Sequence, residues 1–81
     1  MPTNQADIDA TLSVLLMMHE SGESPAISFI HAHADIFEIL WSRRLGCYRI
    51  FRMQAGNIRA RKVYSGVLTL RGVEAAKALS Q

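Results

Sequence analysis

Residues 25–45 read PAISFIHAHADIFEILWSRRL, and the fold turns on whether this stretch is one helix or two. Ile27, Ile30, Ala34, Phe37, Trp41 and Leu45 recur every three or four residues, the period of one helical face. Neither Gly nor Pro interrupts residues 26–45. Periodicity alone therefore permits a single helix of about 20 residues, roughly 30 Å long. The competing reading breaks it near His33–Asp35. Asp35 can cap a new helix there, and Glu38 three residues on completes a capping-box-like pair. That gives helices over 25–32 and 36–45, the first opened by Ser24 as N-cap with Pro25 at the first helical position. Gly46 ends the segment in either case. Trp41 lies on the apolar stripe and reads as a core anchor, with an interface role as the alternative.

Upstream, Asn4 followed three residues later by Asp7 resembles a helix start, because a short polar side chain accepts from an orphan backbone donor. Ile8, Leu12, Leu15, Leu16 and His19 keep helical spacing, and Gly22 stands where a left-handed cap would be. A helix over 5–20 follows. Val14, Met17 and Met18 widen its apolar face. Either the helix is central and covered on both sides, or one side meets a second copy, with Leu12, Leu15 and Met18 as the dimer contact. Small domains often gain the remainder of their stability by such pairing.

Downstream, residues 47–54 (CYRIFRMQ) and 58–65 (IRARKVYS) read as two strands joined by Ala55-Gly56-Asn57. A register centred near Gly56 puts Arg52 opposite Ala60 or Arg59, and Arg49 opposite Val63 or Lys62. Thr69 is a good N-cap for a last helix over 70–79, whose Leu70, Val73, Ala76 and Leu79 recur at intervals of three. Lys77 sits near its C-terminal end, where a cation suits the dipole. The expectation is one α+β domain over residues 1–81.

Charge divides this chain. Eight of its nine Lys and Arg residues fall between Trp41 and Gly72, a stretch without Asp or Glu. The first 42 residues hold Asp7, Asp9, Glu20, Glu23, Asp35 and Glu38 and no cation. Such asymmetry points to nucleic-acid contact. Arg49, Arg52, Arg59, Arg61 and Lys62 on the hairpin, with Arg43 and Arg44 before it, are the candidate phosphate ligands, and arginine suits bidentate phosphate bonds. Tyr48, Phe51 and Tyr64 are candidates to stack on unpaired bases. The rival expectation is a protein-interaction module, an inhibitor, adaptor or assembly subunit. It would use the apolar helix over 5–20 and pair acidic with basic halves within or between chains.

Enzymatic chemistry finds no foothold. Ser42 and Ser65 lack a recognisable His/Asp arrangement, and the scattered glycines form no phosphate-cradling loop. Cys47 is the only cysteine, which fits a reducing cytoplasm and reads as a small apolar residue at a strand start. His31 and His33, two apart on a helix, point about 200° apart and cannot share a metal. No catalytic residue, cofactor or metal is expected. The segment MPTNQADID is acidic and polar, unlike a signal peptide, and the longest apolar run, Val14 to Met18, is too short to span a bilayer.

The tail VLTLRGVEAAKAL resembles the segment that closes many winged helix-turn-helix domains. There a wing strand runs into a Leu-Thr pair, then a Gly three residues after the Thr, then an alanine-rich helix. Here those residues are Leu68, Thr69, Gly72, Ala75, Ala76 and Leu79, and Leu45-Gly46 looks like the end of a recognition helix. The resemblance implies a small winged-helix-like domain that binds double-stranded DNA, as a homodimeric transcriptional regulator or accessory factor. Residues 36–45 are mostly apolar, and only Ser42, Arg43 and Arg44 suit DNA. That shifts the expected contact from the helix to the hairpin wing.

Overall fold

The computed structural model describes residues 4–79; the expected domain limits at 1 and 81 lie outside them. The order is α1 (Gln5–Ser21), α2 (Ile27–Ala32), α3 (Ala34–Ser42), β1 (Tyr48–Arg52), β2 (Ile58–Lys62) and α4 (Leu70–Ala78). This is the expected α+β arrangement of helices, an antiparallel hairpin and a final helix.

Local signals set the ends of α1. The Asn4 side chain accepts from the Asp7 N–H at 2.9 Å. At the other end Gly22 takes φ 77°, and the Gly22 and Glu23 N–H groups donate to the carbonyls of His19 and Met18. This left-handed cap satisfies two of the carbonyls a helix end leaves unpaired. Ile8, Thr11, Leu12 and Leu15 are buried, and α3 and α4 cover the helix. Leu12 and Leu15, at 4% and 1% exposure, are core residues of a single chain. The expectation that they form a dimer contact is therefore corrected: both side chains are already covered by their own chain. Met18 is partly buried against the same core.

The chain does break in the middle of 25–45, at the single residue His33 (φ −120°, ψ 27°). Its N–H reaches both the Phe29 and Ile30 carbonyls, its Nδ1 lies 2.9 Å from the Phe29 oxygen, and its ring stacks on Phe29 at 4.3 Å. The bend lets Ile30 of α2 and Phe37 and Leu40 of α3 enter one core. Asp35 does not cap α3. It lies in the helix's first turn, where a carboxylate suits the dipole, and is held by Arg52. Nor do Ser24 and Pro25 open α2: Ala26 is its N-cap, and Pro25 is buried ahead of it.

Helix α3 stops at Ser42, three residues short of the expected end. Arg44, at φ 62°, makes the left-handed turn that glycine usually makes. The Arg44 and Leu45 N–H groups then donate to Trp41 and Leu40. Gly46 and Cys47 follow into the sheet.

The hairpin register differs from expectation. Arg49 faces Arg61, Phe51 faces Arg59, and Arg52 faces Ile58. The tight turn at Gln54–Gly56 sets it, with Ala55 at φ 60° and Gly56 at φ 76°. Two successive positive φ angles match the right-handed twist of a hairpin, as in a type I′ turn, which favours Asn at the first position. Ala55 carries the left-handed penalty there. Ala55→Asn is expected to raise stability by about 1 kcal/mol, read as a higher denaturant midpoint with unchanged slope.

Thr69 caps α4 as expected: its hydroxyl oxygen accepts from the Gly72 N–H at 3.0 Å and its O–H donates to the Arg44 carbonyl at 2.7 Å. The apolar face of α4 is turned from the expected one. Gly72 and Ala76 are buried, whereas Leu70 is 77% exposed.

Candidate nucleic-acid interface

Strand alternation sorts the basic residues of the hairpin onto two faces. Tyr48, Ile50 and Arg52 of β1 face inward with their partners Lys62, Ala60 and Ile58. Tyr48 is buried edge-on against Phe37 at 6.0 Å, and Ile50 and Ala60 pack on the core. The expectation that Tyr48 stacks on bases is corrected by that burial. The outer face holds Arg49, Phe51, Arg59 and Arg61, all exposed. The Arg49 guanidinium carbon lies 5.0 Å from the centre of the Phe51 ring.

Arg49 and Arg61 are directly opposed. Like charges at that spacing destabilise a ladder unless something neutralises them. Among the described residues, no carboxylate pairs with Arg49, Arg59 or Arg61. An anion laid across this face would relieve the repulsion and gain charge-assisted hydrogen bonds.

Arg52 belongs to a different structure. Its Nη2 lies 2.5 Å from Asp35 Oδ1 and also pairs with Glu38. The hydrogen bonds to Glu38 and then Asp35 raise its pKa from an already high value, so it stays charged. It clamps the hairpin to α3 and neutralises Asp35 and Glu38. Arg52 was expected to hold phosphate; the structure gives it an intrachain partner instead. Arg43 and Arg44 stand exposed at the end of α3, and Lys62 is exposed at the end of β2.

A second feature was not anticipated. Between the pairs Tyr48↔Lys62 and Gly46↔Leu68 the first strand moves two residues and the second moves six. Cys47 bonds to both ends of the excess, its carbonyl accepting from the Val63 N–H at 2.8 Å and its N–H donating to the Val67 carbonyl at 3.4 Å, so residues 64–66 leave the ladder as a loop. It is pinned from α1: the His19 Nδ1 accepts from the Val67 and Leu68 N–H groups at 3.2 and 3.3 Å. Gly66, at φ 85°, packs on the His19 ring, where a Cβ would come within 2.8 Å. The loop carries Tyr64 onto Trp41, with ring centres 5.8 Å apart and planes 21° apart. Trp41 is half-buried, so its expected role as a core anchor is corrected. The sequence signs of this loop are the imperfect alternation of Lys62-Val63-Tyr64 and the turn-type pair Ser65-Gly66.

Cys47 is fully buried, with its Sγ 3.5 Å from the Ser65 carbonyl oxygen. Burial pushes its thiol pKa up, with Lys62 opposing. The nearby cations do not make it reactive. A thiol pKa raised in the folded state stabilises the fold below the unfolded thiol's range, and the stabilisation is lost as pH climbs through the folded value. Unfolding free energy is expected to drop as pH rises above about 8.5, with the thiol's share of that drop missing in Cys47→Ala.

Among the described residues, no three His, Cys, Asp or Glu side chains gather into a metal site, and no helix is long and apolar enough to cross a membrane. Comparison with protein-family models, curated proteins and solved structures gives no significant match.

Proposed function

We propose that the chain is a small DNA-binding protein of winged-helix type, a regulator or accessory factor whose hairpin grips duplex phosphates. The observation that carries this reading is the outer hairpin face, where Arg49, Arg59 and Arg61 gather with Arg49 and Arg61 directly opposed. A ladder that keeps such repulsion is understandable if the face works with an anion on it. The Leu-Thr-x-x-Gly segment supports the family resemblance physically. Thr69 ties the end of α3 to the start of α4, and Gly72 lets α4 press against the Leu45 carbonyl. Arg43, Arg44 and Lys62 border the contact, and Arg52 supports the wing from behind.

Homodimer formation belongs to the same proposal, with Val14 and Met17 as the exposed apolar groups of α1. A second reading, a protein-binding module, is favoured by the exposure of Met17 (71%) and Leu70 (77%). Its charge-pairing form is weakened because Asp35 and Glu38 are already engaged in cis.

Arg49→Glu with Arg61→Glu separates the two readings. Loss of binding to a labelled duplex, with the thermal melt and sedimentation unchanged, supports DNA contact. Unchanged duplex binding, or a wild type that binds no duplex at low salt, contradicts it.

A further inference from the structure

We infer that the open groove beside the Trp41–Tyr64 stack takes one unpaired base of the nucleic acid held on the hairpin. The inference rests on the proposed hairpin contact and names the form of nucleic acid that this second surface selects. Trp41, Ser42, Arg44, Gly46, Tyr64 and Thr69 line the groove. None of the six is acidic, and Arg44 supplies a cation. Tyr64 gives one ring face to Trp41 and is 57% exposed, which leaves aromatic surface open to solvent. A base offers a matching π-face, and its phosphate offers the charge that Arg44 matches.

The platform is held in place, unlike a mobile surface tyrosine. Its loop is anchored by the two backbone hydrogen bonds to His19 and by the close approach of Gly66 to that ring. The backbone of Arg44 is fixed by its left-handed conformation and by the Thr69 hydroxyl bonded to its carbonyl, which sets where its side chain starts. Aromatic groups held on an anchored loop lose little freedom when a ligand arrives. Stacking reads the ring face and not the base edge, so the groove tolerates any base. The occupant is a looped-out or single-stranded nucleotide, since a base inside an intact duplex has no free face.

Trp41 is the only tryptophan, so its emission reports on this groove alone. The full chain is titrated with an oligothymidine and with an abasic deoxyribose-phosphate chain of equal length, which has the same charge and no bases. The oligothymidine is expected to quench Trp41 and to bind about ten-fold or more tightly than the abasic chain. Tyr64→Leu should erase that difference and Tyr64→Phe should keep it. Equal affinity and equal quenching for the two chains overturn the inference. If both still bind with salt-sensitive affinity, the hairpin reading survives that failure; if neither they nor a duplex bind at low salt, both readings fail. Should Tyr64→Leu not fold, the comparison of the two chains on the wild type decides alone.

Discussion

Gly72→Ala is expected to remove a large part of the chain's folding stability. A Cβ at position 72 would lie 2.1 Å from the Leu45 carbonyl oxygen and 3.2 Å from the Leu68 Cβ. The first obstacle is backbone, so no side-chain rotation clears it. That carbonyl also accepts from the Thr69 N–H at 3.0 Å, so moving it disturbs the α4 cap as well. Alanine improves helix propensity by about 1 kcal/mol over glycine. The forced separation of α4 from the end of α3 costs more, roughly 3–5 kcal/mol with the cap included. A domain of this size has about 4–12 kcal/mol in total. Circular dichroism should show a melt far below that of the wild type. Cys47, inaccessible in the native chain, should become open to a thiol reagent. A folded Gly72→Ala protein with a wild-type melt would show that α3 and α4 are not packed as described.

The second large effect separates the two faces of the wing. Arg49→Gln with Arg61→Gln removes the opposed outer pair. Affinity for duplex is expected to drop about 100-fold or more, since two charge-assisted contacts are together worth about 3 kcal/mol or more. Stability should rise slightly, because directly opposed like charges are gone. Arg52→Gln should behave oppositely. Its charge is spent on Asp35 and Glu38, so duplex affinity should stay within about three-fold while the hairpin loosens. Gain of stability with loss of binding is the pattern of a site whose strain serves its ligand. Equal effects of the two variants on binding would mean that face does not matter and only net charge does.

Part of the short-range chemistry in this chain was legible before the structure, although Ser24 and Asp35 do not cap α2 and α3. Asn4, Gly22 and Thr69 each act on backbone groups within a turn, and each does what its type and spacing imply. The order of helices, hairpin and last helix followed from the same signals, with one helix or two over residues 25–45 left open. The placement of the basic residues was not legible, because a one- or two-residue shift in register decides which arginines face out. That shift depends on a left-handed turn at Ala55, a residue type that gives no warning of it. The left-handed end of α3 is hidden in the same way by Arg44. Tyr64 meets Trp41 because His19, far back on α1, holds the loop that carries it, and no local pattern encodes a contact over that distance. Leu12 and Leu15 were correctly read as apolar helix residues. Whether such a face meets its own chain or another depends on what α3 and α4 cover, which periodicity does not contain.

The central claim is that exposed arginines on the outer face of the hairpin neutralise phosphates. The direct measurement is the affinity of the wild-type chain for a short duplex between 50 and 200 mM salt. Each phosphate neutralised contributes about −0.9 to the slope of log affinity against log salt. Three to five contacts, from Arg49, Arg59 and Arg61 alone or with Arg43 and Arg44 at the border, predict a drop of roughly 40- to 500-fold over that range. Affinity that is flat across the range, or no measurable binding at 50 mM, would contradict the account.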